Sequence, residues 1–270
     1  MNRLLAILIL ALLAGCATGP AIDRTYTAVS QDSRAQFLIL HYTVLDFPTS
    51  LKVLAEGGVS SHYLVRDHPP TIYQLVDENR RAYHAGEGSW KGLSQMNAAS
   101  IGIEIVNLGY QDTPNGRIWF DYPRAQIDAV IALVKKIVAE HGIRPDRILG
   151  HSDIAPQRKQ DPGPRFPWQR LAAEGLIPWP DSNLVAQKKL LYAQELPDIA
   201  WFQQNLAKFG YAVSLNAEFD EPTINVITAF QMKYRPALID GMPDAETAAI
   251  LDVLTMPSLT SMVSVPRAAR

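Results

Sequence analysis

The segment from Pro123 to His141 constrains the fold more than any other. Ile127, Val130, Ile131, Val134, Ile137 and Val138 recur there at helical spacing. Pro123 suits a first helical turn and Gly142 suits a C-terminal cap. A helix with one apolar stripe must bury that stripe against another element, and the chain offers strands on both sides of it. Ile101 to Val106 puts Ile101, Ile103 and Ile105 on one face and Gly102, Glu104 and Val106 on the other. Arg147 to His151 reads as a short strand that delivers His151 to its end. Upstream, Gln36 to Tyr42 reads as a buried strand with Phe37, Ile39 and His41 on one face. Pro48 to Glu56 reads as a short helix ended by Gly57-Gly58. His62 to Val65 and Ile72 to Val76 read as strands around the turn-forming Asp67-His68-Pro69-Pro70. Strands interleaved with helices imply an α/β or α+β domain, with helices packed on a central sheet, over residues 34–180.

Ile177-Pro178-Trp179-Pro180-Asp181 breaks this pattern, and residues 181–196 read as a linker. Three helical stretches follow within residues 197–256: Pro197–Phe209, Glu221–Tyr234 and Asp244–Leu254. A unit of about 60 residues has little core of its own, so it is expected to dock on the first domain. Residues 257–270 lack periodicity and read as a flexible tail. With 47% hydrophobic and 19% charged residues, the 270-residue chain is expected to pack rather than to remain disordered. A formal net charge of -2 argues against nucleic acid as a partner, because phosphate binding needs a dense basic face. Nothing in the pattern speaks to oligomeric state.

The chain has one cysteine, Cys16, which excludes an internal disulfide and any cysteine-rich metal site. Its position carries more than its number. Arg3 precedes an apolar run from Leu4 to Ala14, shorter than the roughly 20 residues of a membrane-spanning helix and suited to a signal peptide over residues 1–15. Leu13-Ala14-Gly15-Cys16 resembles the lipobox of bacterial lipoproteins. That resemblance implies cleavage before Cys16, lipidation of Cys16 as a membrane anchor, and a polar tether over residues 16–33. Ala17 and Thr18 stand where an inner-membrane retention aspartate would, which implies an outer membrane lipoprotein facing the periplasm.

His41, Glu104, His151, Lys159 and Asp161 are the residues with chemistry to weigh. Pro156 prevents one continuous helix between His151 and Asp161, and Asp161-Pro162-Gly163-Pro164 turns the chain. A loop can therefore bring His151 and Asp161 to one ion, with His41 arriving from another strand end. Two imidazoles and a carboxylate suit zinc with one open position. Taken singly, each histidine is also explained as a satisfied polar residue, and the aspartate as a turn residue. Phosphate loops, a Gly-x-Ser-x-Gly elbow and a His-Glu-x-x-His helix are absent from the sequence.

The order of the strings adds to this reading. Leu40-His41-Tyr42-Thr43, Ser60-Ser61-His62-Tyr63-Leu64-Val65, His84-Ala85-Gly86 and Ser100-Ile101-Gly102-Ile103-Glu104 come first. Gly150-His151-Ser152-Asp153-Ile154-Ala155-Pro156 and Lys159-Gln160-Asp161-Pro162-Gly163-Pro164 follow. The series resembles N-acetylmuramoyl-L-alanine amidase family 2, in its AmiD/AmpD-type lipoprotein branch. The resemblance implies a mixed central β-sheet with flanking helices and hydrolysis of the amide between the lactyl group of N-acetylmuramic acid and L-alanine of the peptidoglycan stem peptide. It implies His41, His151 and Asp161 as ligands of one zinc ion, Glu104 as catalytic acid/base and Lys159 as the cation facing the reacting carbonyl. His84, Ala85 and Gly86 resemble a substrate-contacting loop. Trp90 and Asn107 are further candidates for sugar or peptide contact, and His62 and Tyr63 for a supporting role. Thr228-Ala229-Phe230-Gln231 and Asp240-Gly241 with Asp244-Ala245-Glu246-Thr247 resemble a three-helix peptidoglycan-binding fold. Two other readings stay open: a non-catalytic peptidoglycan-recognition protein, and a zinc peptidase cutting within the stem peptide.

Overall fold

The computed structural model describes residues 19–257. Cys16, the signal peptide expected over residues 1–15 and the tail expected beyond residue 257 lie outside the described residues. Residues 19–32 belong to a separate unit, are exposed throughout and contain no helix or strand. The rest of the description concerns Ser33 onward.

A five-stranded sheet runs in the order β3-β2-β4-β1-β7. Its strands are β1 (Phe37–Tyr42), β2 (Tyr63–Val65), β3 (Ile72–Gln74), β4 (Ser100–Ile105) and β7 (Ile148–Gly150). β1 lies between β4 and β7 and is parallel to both, β2 is parallel to β4, and β3 is the antiparallel edge. The sheet is therefore mixed, with helices flanking it. The hairpin β5 (Tyr110–Thr113) and β6 (Gly116–Trp119) stands apart as a two-stranded sheet. Its residues are half-buried or exposed and carry no apolar alternation, so periodicity misses it; its two-residue turn is Pro114-Asn115, followed by Gly116 at φ 107°.

Helix α1 (Phe47–Glu56) follows β1, and α2 (Met96–Ala99) leads into β4. α3 (Arg124–His141) makes the crossover toward β7, as a parallel connection requires. Gly142 ends α3 in the left-handed region at φ 66°, with its N–H donating to the Val138 carbonyl. The buried stripe of α3 packs with Leu38, Leu40, Ile101, Ile103 and Ile105 into one core. Period 2 thus sends one set of strand residues toward α3 and the other set to the opposite face.

That opposite face is covered by the C-terminal helices. α7 (Ile199–Phe209), α8 (Glu221–Tyr234) and α9 (Ala245–Thr255) bury Phe202, Leu206, Ile227, Phe230 and Leu251 in one cluster with Phe37, Ile39 and Leu149 of the sheet. The helical module and the sheet share a single core. In chain order α4 (His151–Ile154) and α5 (Trp168–Ala173) come between β7 and the module, and α5 buries Trp168 and Leu171 in the core on the α3 side.

The segment 181–196, expected as a linker, contains α6 (Ser182–Tyr192). No residue of α6 is buried, so it shows no apolar stripe. The Asp181 side chain caps it by accepting from Asn183 and Leu184 N–H. Lys188–Asp252 and Lys189–Glu246 pairs, both 2.7 Å, fasten it to α9.

Candidate metal centre

Three parallel neighbours bring the chemistry to one end of the sheet. His41 is next to last in β1, Glu104 is its register partner on β4, and His151 follows the last residue of β7. Ligand sites in sheets of this kind lie outside the carboxyl ends of the strands. Asp161 reaches the same point because the loop folds back: Ser152 N–H donates to the Asp161 carbonyl at 2.9 Å.

His41 Nδ1, His151 Nδ1 and Asp161 Oδ2 form a triangle with sides of 3.0, 3.1 and 2.9 Å. All three residues are buried. The protons of both rings can be assigned from their outer bonds. His151 Nε2 lies 2.9 Å from the Ala85 carbonyl, which can only accept. Nε2 therefore carries the proton and Nδ1 a lone pair. Behind His41 runs a longer chain. The Ser100 hydroxyl donates to the Met96 carbonyl and so accepts from His84 Nε2 at 3.1 Å. His84 Nδ1 then accepts from His41 Nε2 at 2.9 Å. His41 Nδ1 is left with a lone pair as well.

Two lone pairs and a carboxylate oxygen thus converge with no proton among them. Burial, and then the neighbouring His151, pushes the His41 imidazolium down to about 4, so the ring is neutral at pH 7. Burial opposes the charge on Asp161, yet His151 and His41, when protonated on their facing nitrogens, outweigh it and hold the carboxyl well below its usual range. Neutral Nδ1 donors with their Nε2 protons committed to outer partners are the arrangement metal-binding histidines adopt. The donor set of two nitrogens and one oxygen fits zinc.

Glu104 sits beside this triangle, and its Oε2 is buried with no hydrogen-bond partner. Burial first, and then the charge of Asp161, raises its carboxyl well above the ordinary range, against the pull of Lys159. Lys159 lines the same cleft, and among the described residues no carboxylate pairs with its ammonium. The cleft holds about 550 Å³ and takes in Tyr42, Tyr83, Tyr110, Gln157 and Asn225. The last of these comes from α8, so the C-terminal module forms part of the wall. Tyr110, in the hairpin missed by periodicity, and Asn225 are cleft residues that the sequence reading did not name. No local signal in the sequence points to Asn225.

The substrate-contact expectations fare differently from the triangle. Trp90 is 2% exposed and is not in the cleft: its ring packs on Phe209 and Tyr211, and its Nε1 donates to the Asp146 carbonyl. Asn107 is also buried, and its side chain is spent on Gly109 N–H and the Phe120 and Asp121 carbonyls. Ala85 is fully buried, and its carbonyl receives His151 and Arg158. Gly86 is exposed and rests near the Arg158 guanidinium rather than lining the cleft. His84 does line the cleft, but both of its ring nitrogens are engaged, one by His41 and the other by Ser100. His62 stands one step further back, accepting from Gly102 N–H through Nδ1.

A cleft in which two imidazole nitrogens and a carboxylate converge beside a buried, partnerless carboxyl suits a hydrolase that attacks its substrate with water. The family described as "N-acetylmuramoyl-L-alanine amidase" matches residues 31–164, and "Putative peptidoglycan binding domain" matches residues 195–251. The chain is 42% identical over 258 residues to N-acetylmuramoyl-L-alanine amidase AmiD of Escherichia coli strain K12, covering 90% of this chain and 93% of that one. The solved complex of E. coli AmiD with anhydro-N-acetylmuramic acid-L-Ala-D-γ-Glu-L-Lys superposes with a TM-score of 0.79 at 41% identity, covering 87% and 94% of the two chains. AmpDh3 of Pseudomonas aeruginosa, solved with anhydromuramic pentapeptide, gives a TM-score of 0.80 at 37% identity over 87% and 97%. The chain belongs to the N-acetylmuramoyl-L-alanine amidase family and is an enzyme of that family.

Proposed function

We propose that this enzyme cuts the amide between the lactyl group of N-acetylmuramic or anhydro-N-acetylmuramic acid and L-alanine of the stem peptide, with zinc held by His41, His151 and Asp161. The AmiD and AmpDh3 complexes with anhydromuramyl peptides support this substrate class. The observation that carries the mechanism is the buried, partnerless Oε2 of Glu104 beside the triangle. When bound, zinc lowers the pKa of a water and polarises the carbonyl it attacks.

Glu104 accepts the proton of the attacking water. Its raised affinity for that proton suits it to hand the proton on to the leaving alanine nitrogen as general acid. Lys159 places a positive charge in the cleft where negative charge develops on the lactyl oxygen. The proton chain through His84 and Ser100 keeps His41 in the tautomer that presents Nδ1.

The test is incubation of purified enzyme with anhydro-muropeptides and with intact sacculi, followed by product masses. Release of an intact stem peptide beginning at L-alanine is expected. Cleavage inside the peptide would favour the peptidase reading, and tight binding with no turnover the recognition reading.

The enzyme works on the cell envelope, and we place it there as an outer membrane lipoprotein anchored through Cys16. Leu13-Ala14-Gly15-Cys16 and the residues after it support this address. Cys16→Ser should move the protein from the membrane fraction to the soluble fraction. The helical module, residues 197–256, brings the cleft to peptidoglycan, a role supported by the match of residues 195–251 to a putative peptidoglycan binding domain.

A further inference from the structure

Two residues beyond His151, the Asp153 carboxylate is 1% exposed and accepts three hydrogen bonds. One comes from Gly150 N–H, the residue before His151, at 2.8 Å from Oδ2. The other two come from the C-terminal module. Lys233 Nζ on α8 donates to Oδ2 at 2.8 Å, and the Tyr211 hydroxyl after α7 donates to Oδ1 at 2.6 Å. Lys233 is itself buried; it also donates to the Ile148 carbonyl of β7 at 3.3 Å and lies 4.1 Å from the Trp168 ring centroid.

These bonds converge on the turn that carries a metal ligand. α4 is only four residues long and begins with His151. A helix of one turn has little stability of its own, so its orientation depends on what holds its side chains. Asp153 is held from below by the strand end and from the side by two groups of another module. A buried ion pair is weak evidence for stability, but it can fix one arrangement over its neighbours.

We propose that Lys233 and Tyr211 are positioning residues that act through Asp153 to hold His151 Nδ1 toward His41 and Asp161. The C-terminal helices then complete the metal centre as well as the core. The inference rests on the zinc reading of the preceding section.

The test uses the full chain and measures its zinc dissociation constant by competition with a chromogenic chelator. Tyr211→Phe removes one hydroxyl and Lys233→Met removes the cation, while Arg235→Gln breaks pairs internal to the module, with Asp240 and Asp244. Outer partners of metal ligands are worth roughly 10–100-fold in affinity. Lys233 and Tyr211 bond to Asp153 and not to a ligand itself, so Tyr211→Phe and Lys233→Met should weaken zinc by less than that, by about 3- to 10-fold, with partial recovery in Lys233→Arg. Arg235→Gln should lower the melting temperature and leave zinc affinity unchanged. Folded Tyr211→Phe and Lys233→Met proteins that bind zinc as the wild type does would overturn the inference alone. Equal loss in Arg235→Gln would also overturn it, by tracing the effect to general loosening. A wild-type chain that binds no zinc would overturn the metal centre itself and this inference with it.

Discussion

Replacing Glu104 by glutamine should damage turnover and strengthen the fold at once. The glutamine keeps the shape of the side chain but cannot take or give the reaction's proton. Loss of a positioned general acid/base costs roughly 10²- to 10⁴-fold in rate, or about 3–6 kcal/mol of barrier at about 1.4 kcal/mol per tenfold. The stability effect has the opposite sign. Burial raises the Glu104 carboxyl in the folded state, whereas the unfolded chain ionises it in the ordinary range. Between those two values the folded state binds more protons, so stability falls as pH rises through the window. The deficit is about 1.4 kcal/mol for each unit by which the group is raised. It is absent below the ordinary carboxyl range and complete above the raised value. Glu104→Gln escapes it. Urea unfolding of the metal-free proteins from pH 4 to pH 8 should show curves that coincide at the acid end and diverge in favour of the variant as pH rises. Turnover of anhydro-muropeptide by the zinc-loaded proteins supplies the rate. A variant retaining most of its turnover, or a stability difference that is flat with pH, would refute the reasoning.

The other consequences are simpler to read. Dialysis against a chelator should abolish turnover and stoichiometric zinc should restore it; full activity of metal-free protein, checked by elemental analysis, would contradict the assigned ligands. His84→Phe breaks the chain that orients His41 and should weaken zinc by roughly 10–100-fold, measured by chelator competition, with a smaller loss for Ser100→Ala. Trp90→Ala opens a cavity between sheet and module and should cost about 3–5 kcal/mol of stability in urea unfolding. The KM of the folded fraction should stay unchanged, and a raised KM with intact stability would return Trp90 to the substrate.

The order of strands and helices in the first domain is local information, because each element advertises the face it buries. Phe37, Ile39 and His41 alternate with Leu38 and Leu40, and the stripe of α3 repeats with the helical period. The resemblance carried by their strings named His41, His151 and Asp161 as a candidate ligand set and Glu104 as the candidate acid/base, and the fold brings the four to one cleft. What local patterning cannot encode is which surface covers a buried face, or which partner a polar atom finds far along the chain. Tertiary structure decided that the C-terminal helices close the second face of the sheet, placing Trp90 in that seam and Asn225 in the cleft. It decided that α6, which shows no apolar stripe, is held by packing of Val185 and Tyr192 on the module's cluster and by ion pairs to α9. It also decided the tautomers: His84, Ser100 and Ala85 assign the ring protons, because a lone pair belongs to whichever nitrogen its neighbours leave free.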